Sequence, residues 1–204
     1  MRHGETDWNK ARRLQGQVDI PLNEYGIHLA EITSQALSHI KFDRIYSSPL
    51  IRAYETANIM SKYHNLPVIT DSRLLELSFG ESEGVSLDYI NSHPDSNLYD
   101  FIHNPEKYLP PSGGETLESL YDRCGEFLNK VIFPLENECE SILIVAHGAL
   151  IRGMIYHMNH RDTSKFWSMV HKNCSVTISE YKDHKFSLLE EAKIYYSEDT
   201  PANW

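Results

Sequence analysis

The run Ser141-Ile142-Leu143-Ile144-Val145-Ala146-His147-Gly148 decides the fold class of this 204-residue chain. Residues 141–145 are almost continuously apolar and β-branched, which predicts a strand covered on both faces of a parallel sheet. The strand ends in His-Gly, and the residues through Arg152 open the next helix, whose N-terminus favours an anion. The run therefore predicts an α/β fold that gathers ligands at the carboxyl ends of its strands.

Further strands and helices alternate along the chain around this run. Short strands are predicted at 42–47 and 68–70, and the alternating residues 176–181 predict a strand at a sheet edge. Asn23 and Thr116 are placed to cap the helices that follow them. This alternation predicts a three-layer α/β/α sandwich with a mostly parallel central sheet.

Reactive side chains open the sequence in the run Met1-Arg2-His3-Gly4-Glu5-Thr6-Asp7-Trp8-Asn9. Arg2 is a cation beside a histidine that can be a nucleophile, and the following glycine allows close approach to a ligand. Asn9 adds an amide that can donate to a phosphate oxygen. Two histidines and two arginines follow the ends of separate predicted strands. They are Arg2 and His3 in this run, and Arg52 and His147 further along the chain. These residues alone predict a phosphate-sized anion pocket with a histidine that can be modified covalently.

Four motifs in a fixed order resemble the histidine phosphatase superfamily, also called the phosphoglycerate-mutase-like family. They are Arg2-His3-Gly4, residues 47–57 around Arg52, residues 74–84 around Glu76, and residues 142–148 ending in His147-Gly148. The resemblance covers residues 2–181, and the ordered set of motifs is highly specific. It implies the sandwich fold of that family, and the short chain with its compact lid looks like the compact phosphatase branch.

The resemblance implies a role for each catalytic position. His3 attacks phosphorus and becomes a phosphohistidine, while Glu76 protonates the leaving oxygen and then deprotonates the attacking water. His147, if protonated, stabilises the transferring phosphoryl group, and Arg2 and Arg52 hold it through bidentate contacts. The residues expected to bind phosphate or substrate are Arg2, Asn9, Gln15, Gly16, Arg52, His147 and Gly148.

Two of these roles have alternatives within the same loops. Glu81 and Glu83 lie close to Glu76 in sequence, and either could be the proton donor instead. Gln15 and Gly16 could turn their loop without touching the substrate. The residues leave both questions open.

Two further alternatives concern charged groups. Arg52 could form a helix-surface ion pair with Glu55 or Asp71. The two motif histidines could ligate zinc together with Asp7, although the sequence has no HxxxH or HxH pair and no carboxylate-rich strand end. The phosphohistidine mechanism needs no metal, and no cofactor is expected.

The start of the sequence departs from the resembled family, in which an apolar central strand precedes Arg-His-Gly. Only Met1 stands before Arg2, so we expect the first central strand to be missing from the sheet. Its absence would leave two neighbouring strands with unpaired backbone groups, at a cost of several kcal/mol. We therefore expect a clipped sequence rather than a functional sheet without this strand.

Length and composition suit a single domain over residues 1–204, with a small, mostly helical lid insertion at about 85–115. The formal net charge of -10 argues against nucleic acid or an anionic membrane as a general partner. Three cysteines without CxxC spacing, and no apolar run near the length of a membrane span, predict a cytoplasmic protein with reduced thiols. A monomer or homodimer is expected, with a loosely ordered tail at 197–204.

Two reactions share a phosphohistidine within the resembled family. A phosphatase passes the phosphoryl group to water, whereas a phosphoglycerate mutase returns it to the other hydroxyl of a bound phosphoglycerate. We expect a phosphomonoester hydrolase acting on small phosphorylated metabolites, with the mutase as the alternative. A non-catalytic phospho-ligand binder is a further alternative, which the reactive residue types at the core positions argue against.

Overall fold

The computed structural model describes residues 1–159 and 162–197, so the predicted loose tail lies outside the described residues beyond Ser197. Within this part of the chain, no helix is long and apolar enough to cross a membrane. The strands are β1 (Arg44–Ser47), β2 (Val68–Thr70), β3 (Ile142–Val145), β4 (Val176–Lys182) and β5 (Lys185–Lys193). The helices are α1 (Asp7–Lys10), α2 (Glu24–Leu37), α3 (Ile51–His64), α4 (Leu87–Ser92), α5 (Asn97–His103), α6 (Leu117–Phe127) and α7 (Gly148–Asn159). Short 3-10 turns are Ser72–Leu74, Gly80–Ser82, Pro105–Lys107, Phe133–Leu135 and Thr163–Lys165, and a π-helical turn, Leu128–Ile132, extends α6.

Three of the predicted strands form a parallel sheet in the order β2-β1-β3. Ile45 of β1 pairs with Val68 of β2 on one side and with Leu143 of β3 on the other. Because the strands are parallel, their carboxyl ends meet at one edge of the sheet. The chain leaves β1 and β3 at this edge, and their following residues form the site described below.

The sheet lies between two apolar cores. Ile45 packs in the core that contains residues of α2 and α3, whereas the next residue, Tyr46, packs in the core that contains residues of α6 and α7. Leu143 and Ile144 of β3 divide between the two cores in the same way. Successive side chains of a strand point to opposite faces, so both faces of this sheet are covered. The predicted α/β sandwich with a parallel sheet is confirmed.

The first residues of the chain lie beside the end of β3. Arg2 forms a parallel bridge with Ala146, and the backbone N–H of His3 donates to the Ala146 carbonyl at 2.9 Å. The amine of Met1 donates to the Ile144 carbonyl at 2.8 Å, and burial lowers the pKa of this amine to about 5. The longer central strand of the resembled family was expected to be missing, and at its position the short segment of residues 1–3 pairs with the end of β3. This pairing brings His3 to the carboxyl edge of the sheet.

The alternating strand predicted at 176–181 is confirmed as β4, but it does not extend the parallel sheet. β4 pairs with β5 in a separate antiparallel hairpin. As one of two strands in this hairpin, β4 is an edge strand, as expected, although the edge belongs to a separate sheet. No complete strand stands between β3 and β4 in the described residues, so backbone pairing on this side of β3 is limited to the first residues of the chain.

The first turn of α2 supports the N-terminal loop. The side-chain oxygen of Asn23 accepts a hydrogen bond from the Gly26 N–H at 2.7 Å, which confirms the predicted cap. The backbone N–H of Asn23 donates to the Glu5 carbonyl at 3.0 Å. A Cβ at Gly26 would clash with the backbone of Glu5, so glycine is required for this close approach. Thr116 caps α6 in the same way as Asn23 caps α2.

Residues 85–115 contain α4, α5 and the 3-10 turn Pro105–Lys107. Leu98 and Phe101 of α5 are buried in the same core as α6 and α7. This segment is therefore packed onto the body of the molecule, and Phe101 reaches the cavity described next.

Candidate active site

A cavity of about 110 Å³ opens at the carboxyl edge of the parallel sheet. It brings together most of the residues that the sequence singled out, although they come from four separate segments. The predicted site residues that line it are Arg2, His3, Asn9, Gln15, Gly16, Arg52, Glu76 and Gly148. The remaining predicted residue, His147, lies behind His3 and does not line the cavity itself.

His3 is buried, and its ring orientation is fixed by one hydrogen bond. Nδ1 lies 2.6 Å from the carbonyl oxygen of Gly4. A carbonyl oxygen can only accept, so Nδ1 carries the proton and the neutral ring keeps a lone pair on Nε2. Burial, followed by the nearby Arg52 and Arg2 charges, lowers the pKa of His3 well below its ordinary value. The imidazole is therefore neutral near neutral pH, which is the form that can attack phosphorus.

The backbone around His3 is held by side chains from two other segments. Thr56 of α3 accepts a hydrogen bond from the Gly4 N–H at 3.0 Å and donates to the carbonyl of Arg52 at 2.7 Å. The side-chain amide of Asn173 donates to the carbonyls of His3 and Gly4 at 3.1 and 3.0 Å. Asn173 was not predicted as a site residue, because its contacts with residues 3 and 4 lie about 170 positions away in sequence.

Arg2 and Arg52 are buried guanidinium groups on either side of the site. Arg2 donates from Nη1 to the carbonyl of His171 at 2.6 Å. Arg52 donates from its two Nη atoms to the carbonyls of Val18 and Gly16, at 2.8 and 2.7 Å. The Nε atom of each arginine is buried without a hydrogen-bond partner in the described residues. Each side chain is thus fixed by backbone carbonyls while it retains an N–H group for a ligand.

The alternative ion pair of Arg52 with Glu55 or Asp71 is wrong, since both carboxylates are engaged elsewhere. Asp71 pairs with Arg73, with 2.5 Å between Oδ2 and Nη2. Glu55 accepts a hydrogen bond from the backbone of residue 22 at 3.1 Å. Arg52 is fully buried, so the helix-surface location that the alternative required is also absent.

Glu76 occupies the N-terminus of α7. Its Oε1 accepts from the N–H of Leu150 at 3.0 Å, and its Oε2 accepts from the N–H of Ala149 at 3.2 Å. The sequence predicted an anion at this helix N-terminus, and in the structure that anion is a carboxylate of the protein. These hydrogen bonds hold Glu76 in the cavity wall, next to the first turn of the helix that follows His147.

The other two candidate proton donors do not line the cavity. Glu83 anchors the neighbouring loops, because its Oε1 accepts from the N–H groups of Gln17 at 2.8 Å and Phe79 at 3.2 Å. Gly16 has a φ of +52°, and a Cβ there would clash with the Glu83 carboxylate. Glu81 is exposed. Of the three carboxylates, only Glu76 lines the cavity.

His147 differs from His3 although their ring centroids are only 5.1 Å apart. Both ring nitrogens of His147 are buried without a hydrogen-bond partner in residues 1–159 and 162–197. Burial, then the nearby Arg52 and His3, lowers its pKa well below the ordinary value. The free protein therefore holds a neutral His147, and the expected protonated form requires an anion in the site.

Asn9 and Gln15 are held by Thr6, which also caps α1. The side-chain oxygen of Asn9 accepts from the Thr6 N–H at 3.2 Å, and that of Gln15 accepts from the Thr6 hydroxyl at 2.9 Å. Because both amide oxygens are engaged, the groups left to donate to a ligand are the amide NH₂ groups. Gly16 turns this loop and also holds Arg52 through its carbonyl. The role of Gln15 and Gly16 in turning the loop is therefore compatible with a role in contacting the substrate.

The zinc alternative needs the two motif histidines and Asp7 to meet. Asp7 is exposed at the start of α1, where its carboxylate lies 3.4 Å from the amide of Asn23. No group of three or more histidine, cysteine, aspartate or glutamate side chains suited to a metal lies together in the described parts of the chain. The site is built around guanidinium groups, which suit an anion rather than a cation.

Several residues of the cavity were not predicted. They come from the loop after α1, the loop after Glu76, the segment 85–115, the middle of α7 and the loop that follows α7, and they are Arg13, Phe79, Phe101, Arg152, Trp167, Val170 and His171. Arg152 offered one signal, because it stands one helical turn beyond Gly148 and so shares its face of α7. The loop residues offered none, since their segment has no apolar periodicity.

Comparison with known proteins assigns the chain to a family. The model of the histidine phosphatase superfamily (branch 1) matches residues 1–193. Phosphoserine phosphatase 1 of Hydrogenobacter thermophilus is 32% identical over 190 residues, 93% of this chain and 89% of the relative. Phosphoglycerate mutase-like protein 4 of Arabidopsis thaliana is 36% identical over 156 residues, 76% of this chain and 67% of the relative. Phosphoserine phosphatase of Entamoeba histolytica, solved with 3-phosphoglyceric acid, superposes with a TM-score of 0.81 at 27% identity, covering 97% of this chain and 95% of that one.

The chain therefore belongs to the histidine phosphatase superfamily, as its four motifs predicted. It is a phosphatase that works through a phosphohistidine. The fold agrees with this assignment, because the parallel sheet and its flanking helices match a solved member along nearly the whole chain.

Proposed function

We propose that this protein hydrolyses small phosphomonoesters in two steps, with His3 as the residue that carries the phosphoryl group. The observation that supports this role most directly is the Nδ1–Gly4 hydrogen bond, which leaves the Nε2 lone pair as the nucleophile. Arg2 and Arg52 stand on either side with unpartnered Nε–H groups. No other histidine among the described residues combines this fixed tautomer with a place in the cavity wall beside two arginines.

In the first step, His3 Nε2 forms a bond to phosphorus while the bond from phosphorus to the ester oxygen breaks. Glu76 acts as the general acid and gives a proton to the leaving oxygen. In the second step, water attacks phosphorus, gives a proton to the Glu76 carboxylate and displaces the His3 nitrogen. Inorganic phosphate leaves, and the free imidazole and the protonated carboxyl are restored.

The guanidinium groups stabilise the charge on the transferring phosphoryl oxygens. Arg2 and Arg52 are held in place before the substrate binds, so little reorganisation is needed during the reaction. The amides of Asn9 and Gln15 and the backbone at Gly148 add neutral donors. A phosphoryl dianion bound at His3 raises the affinity of the His147 ring, whose centroid lies 5.1 Å from that of His3, for a proton, so His147 becomes a further positive group in the loaded site.

The proposed substrate is a small phosphorylated metabolite of about the size of phosphoserine or 3-phosphoglyceric acid. Two proteins similar to this chain are named or crystallised with such compounds, and the cavity volume is modest. The proposal includes one domain over residues 1–204 whose segment 85–115 acts as a lid through Phe101. Unpaired thiols at Cys124, Cys139 and Cys174 support a cytoplasmic location, and a monomer or homodimer is proposed.

Phosphate release from a panel of phosphomonoesters tests this function. The assay runs at mildly acidic to neutral pH with EDTA present, and it compares the wild type with His3→Ala. We expect release that is indifferent to EDTA and at least about 10³-fold slower in the variant, because the nucleophile is gone. Full activity of His3→Ala, or loss of wild-type activity in EDTA, contradicts the proposal. Interconversion of 3- and 2-phosphoglycerate without phosphate release supports the mutase alternative.

A further inference from the structure

Arg152 of α7 is a buried guanidinium that the phosphohistidine mechanism does not use, although it lines the same cavity as His3. Its Nη1 donates to the carbonyl of Gly148 at 2.8 Å, and its Nη2 donates to the carbonyl of Met169 at 2.9 Å. The guanidinium carbon lies 4.4 Å from the ring centroid of Trp167. These contacts fix the position of the group and leave three of its five N–H bonds without an acceptor in residues 1–159 and 162–197.

The charge of Arg152 has no carboxylate partner among the described residues. No ion pair within 4 Å includes it there, and its Nε is buried without a hydrogen-bond partner. Burial, followed by the charge of Arg2, lowers the pKa of Arg152 to about 9, and the carboxylates of Glu76 and Glu191, neither of which forms an ion pair with it within 4 Å, offset this only in part. A buried cation without a counter-ion is unfavourable, so this position favours an anion that arrives from solution.

The side chains that line the cavity also carry an excess of positive charge, which likewise favours an anion. Among the described residues, four arginines line the cavity and Glu76 is the one carboxylate that does so. The phosphoryl dianion of a substrate neutralises the pair formed by Arg2 and Arg52. Arg152 then remains for a second negative group on the same ligand. The four arginines are Arg2, Arg13, Arg52 and Arg152.

The place of Arg152 relative to the reaction follows from its distances around Gly148. A Cβ built on Gly148 would lie 3.3 Å from Arg152 Nη1 and 4.0 Å from Glu76 Oε2. The same point would lie 3.8 Å from Arg2 Nε. Arg152 is therefore beside the carboxyl group that protonates the leaving oxygen. Arg152 is also close to Arg2. A ligand whose phosphate is held by Arg2 and Arg52 can therefore place a second group, carried by the leaving alcohol next to that carboxyl group, within reach of Arg152.

We propose that Arg152 binds a carboxylate on the leaving group, and that the enzyme prefers phosphate esters of hydroxy carboxylic acids. This inference rests on the proposed function, because it takes the leaving-group side from the role of Glu76. A carboxylate matches the planar fork of a guanidinium, and stacking on Trp167 holds that plane in one orientation. The chemistry distinguishes such esters from phosphorylated amines and sugars of similar size, which lack the second negative charge.

The test compares two substrates that differ only in the carboxylate, O-phosphoserine and O-phosphoethanolamine. Their ratio of kcat/KM is the readout, because loss of a buried guanidinium also disturbs the loop at Met169 and lowers both rates. We expect the wild type to prefer phosphoserine by at least about 10-fold. In Arg152→Met that preference falls by about 10- to 150-fold, which is the size of a hydrogen bond to a charged group. Arg44→Met, at the opposite end of β1, keeps the wild-type ratio.

Arg152→Lys keeps the charge but loses the planar fork of the guanidinium. A ratio of kcat/KM between those of the wild type and Arg152→Met supports the proposal. The lysine variant also provides the test if Arg152→Met does not fold. Equal losses on both substrates in the variants overturn it and make Arg152 a structural residue. A wild type without any preference for phosphoserine overturns it as well, while the proposed function stands. A wild type that hydrolyses neither ester overturns the proposed function, and this inference with it.

Discussion

The cavity has two ends of different construction. The inner end consists of Arg2, His3, Arg52 and Glu76, and the outer end consists of Phe101, Arg152 and Trp167. Hydrogen bonds to backbone groups fix every side chain of the inner end. The outer end also uses hydrogen bonds to backbone carbonyls, but it joins α5, α7 and the loop after α7 through side chains that contact each other: Trp167 donates to the carbonyl of Phe101 at 2.6 Å and lies against Arg152.

This difference separates the residues that carry out the reaction from those that select the substrate. The inner end carries groups that any phosphomonoester needs, and strand ends place them with little freedom. In the proposed mechanism the outer end faces the group that carries the phosphate, and it is made by α5, the middle of α7 and the loop after α7. Changes at the inner end should therefore lower the rate with all substrates, whereas changes at the outer end should alter the choice among them.

After His3→Ala, the largest effect is expected from Glu76→Gln. Glutamine cannot exchange a proton, so kcat/KM for an alkyl phosphate should fall by about 10²- to 10⁴-fold. The loss should be much smaller for p-nitrophenyl phosphate, whose leaving group departs without a proton. Steady-state kinetics on both esters measure the difference, with the exposed Glu81→Gln as the control. An equal loss on both esters would show that Glu76 is not the proton donor of the first step.

The two histidines of the inner end should make stability depend on pH. Burial lowers the pKa of both below the ordinary value of 6.5, so the unfolded chain binds protons first as the pH falls. Their contribution to stability is thus complete above pH 6.5 and is lost below it, by about 1.4 kcal/mol per pH unit for each buried histidine. Measured by urea unfolding between pH 7 and 5, the free energy of unfolding should fall less steeply with decreasing pH for His147→Asn than for the wild type. Parallel curves, or the same change in the exposed His39→Asn, would contradict this account.

The smallest effect is expected at the outer end, from Trp167→Phe. Phenylalanine keeps an aromatic face for Arg152 but cannot donate to the carbonyl of Phe101. Loss of one hydrogen bond of about 1 kcal/mol should raise KM about 5-fold and leave kcat nearly unchanged. Trp8→Phe, outside the cavity wall, is the matched control. A fall in kcat without a change in KM would place Trp167 in the chemistry and would remove the distinction between the two ends.

The inner end was predictable because its signals are local. The apolar run of β3 predicts a buried strand from composition alone, and His147-Gly148 follows it directly. The cap at Asn23 likewise depends on residues within one helical turn. Arg52 was identified through its motif, but its complete burial was not predictable, since it depends on carbonyls 34 and 36 residues away in sequence.

The outer end and the position of β4 were not predictable for a common reason. Strand partners and cavity walls are set by segments far apart in the chain, and no local pattern encodes them. β4 shows correct alternation, yet its partner is β5 rather than the parallel sheet. Trp167 reaches the cavity from a loop without periodicity, and its contact with Phe101 spans 66 residues.

The central claim is that the phosphoryl group passes through His3 Nε2. Its most direct test is to mix the enzyme with O-phosphoserine, quench in alkali within one turnover, and locate the phosphate by mass spectrometry. The account predicts phosphate on His3, stable in alkali and released by mild acid, and no phosphate on His3→Ala. Phosphate on another residue, or turnover in His3→Ala without a phosphorylated protein, would contradict it.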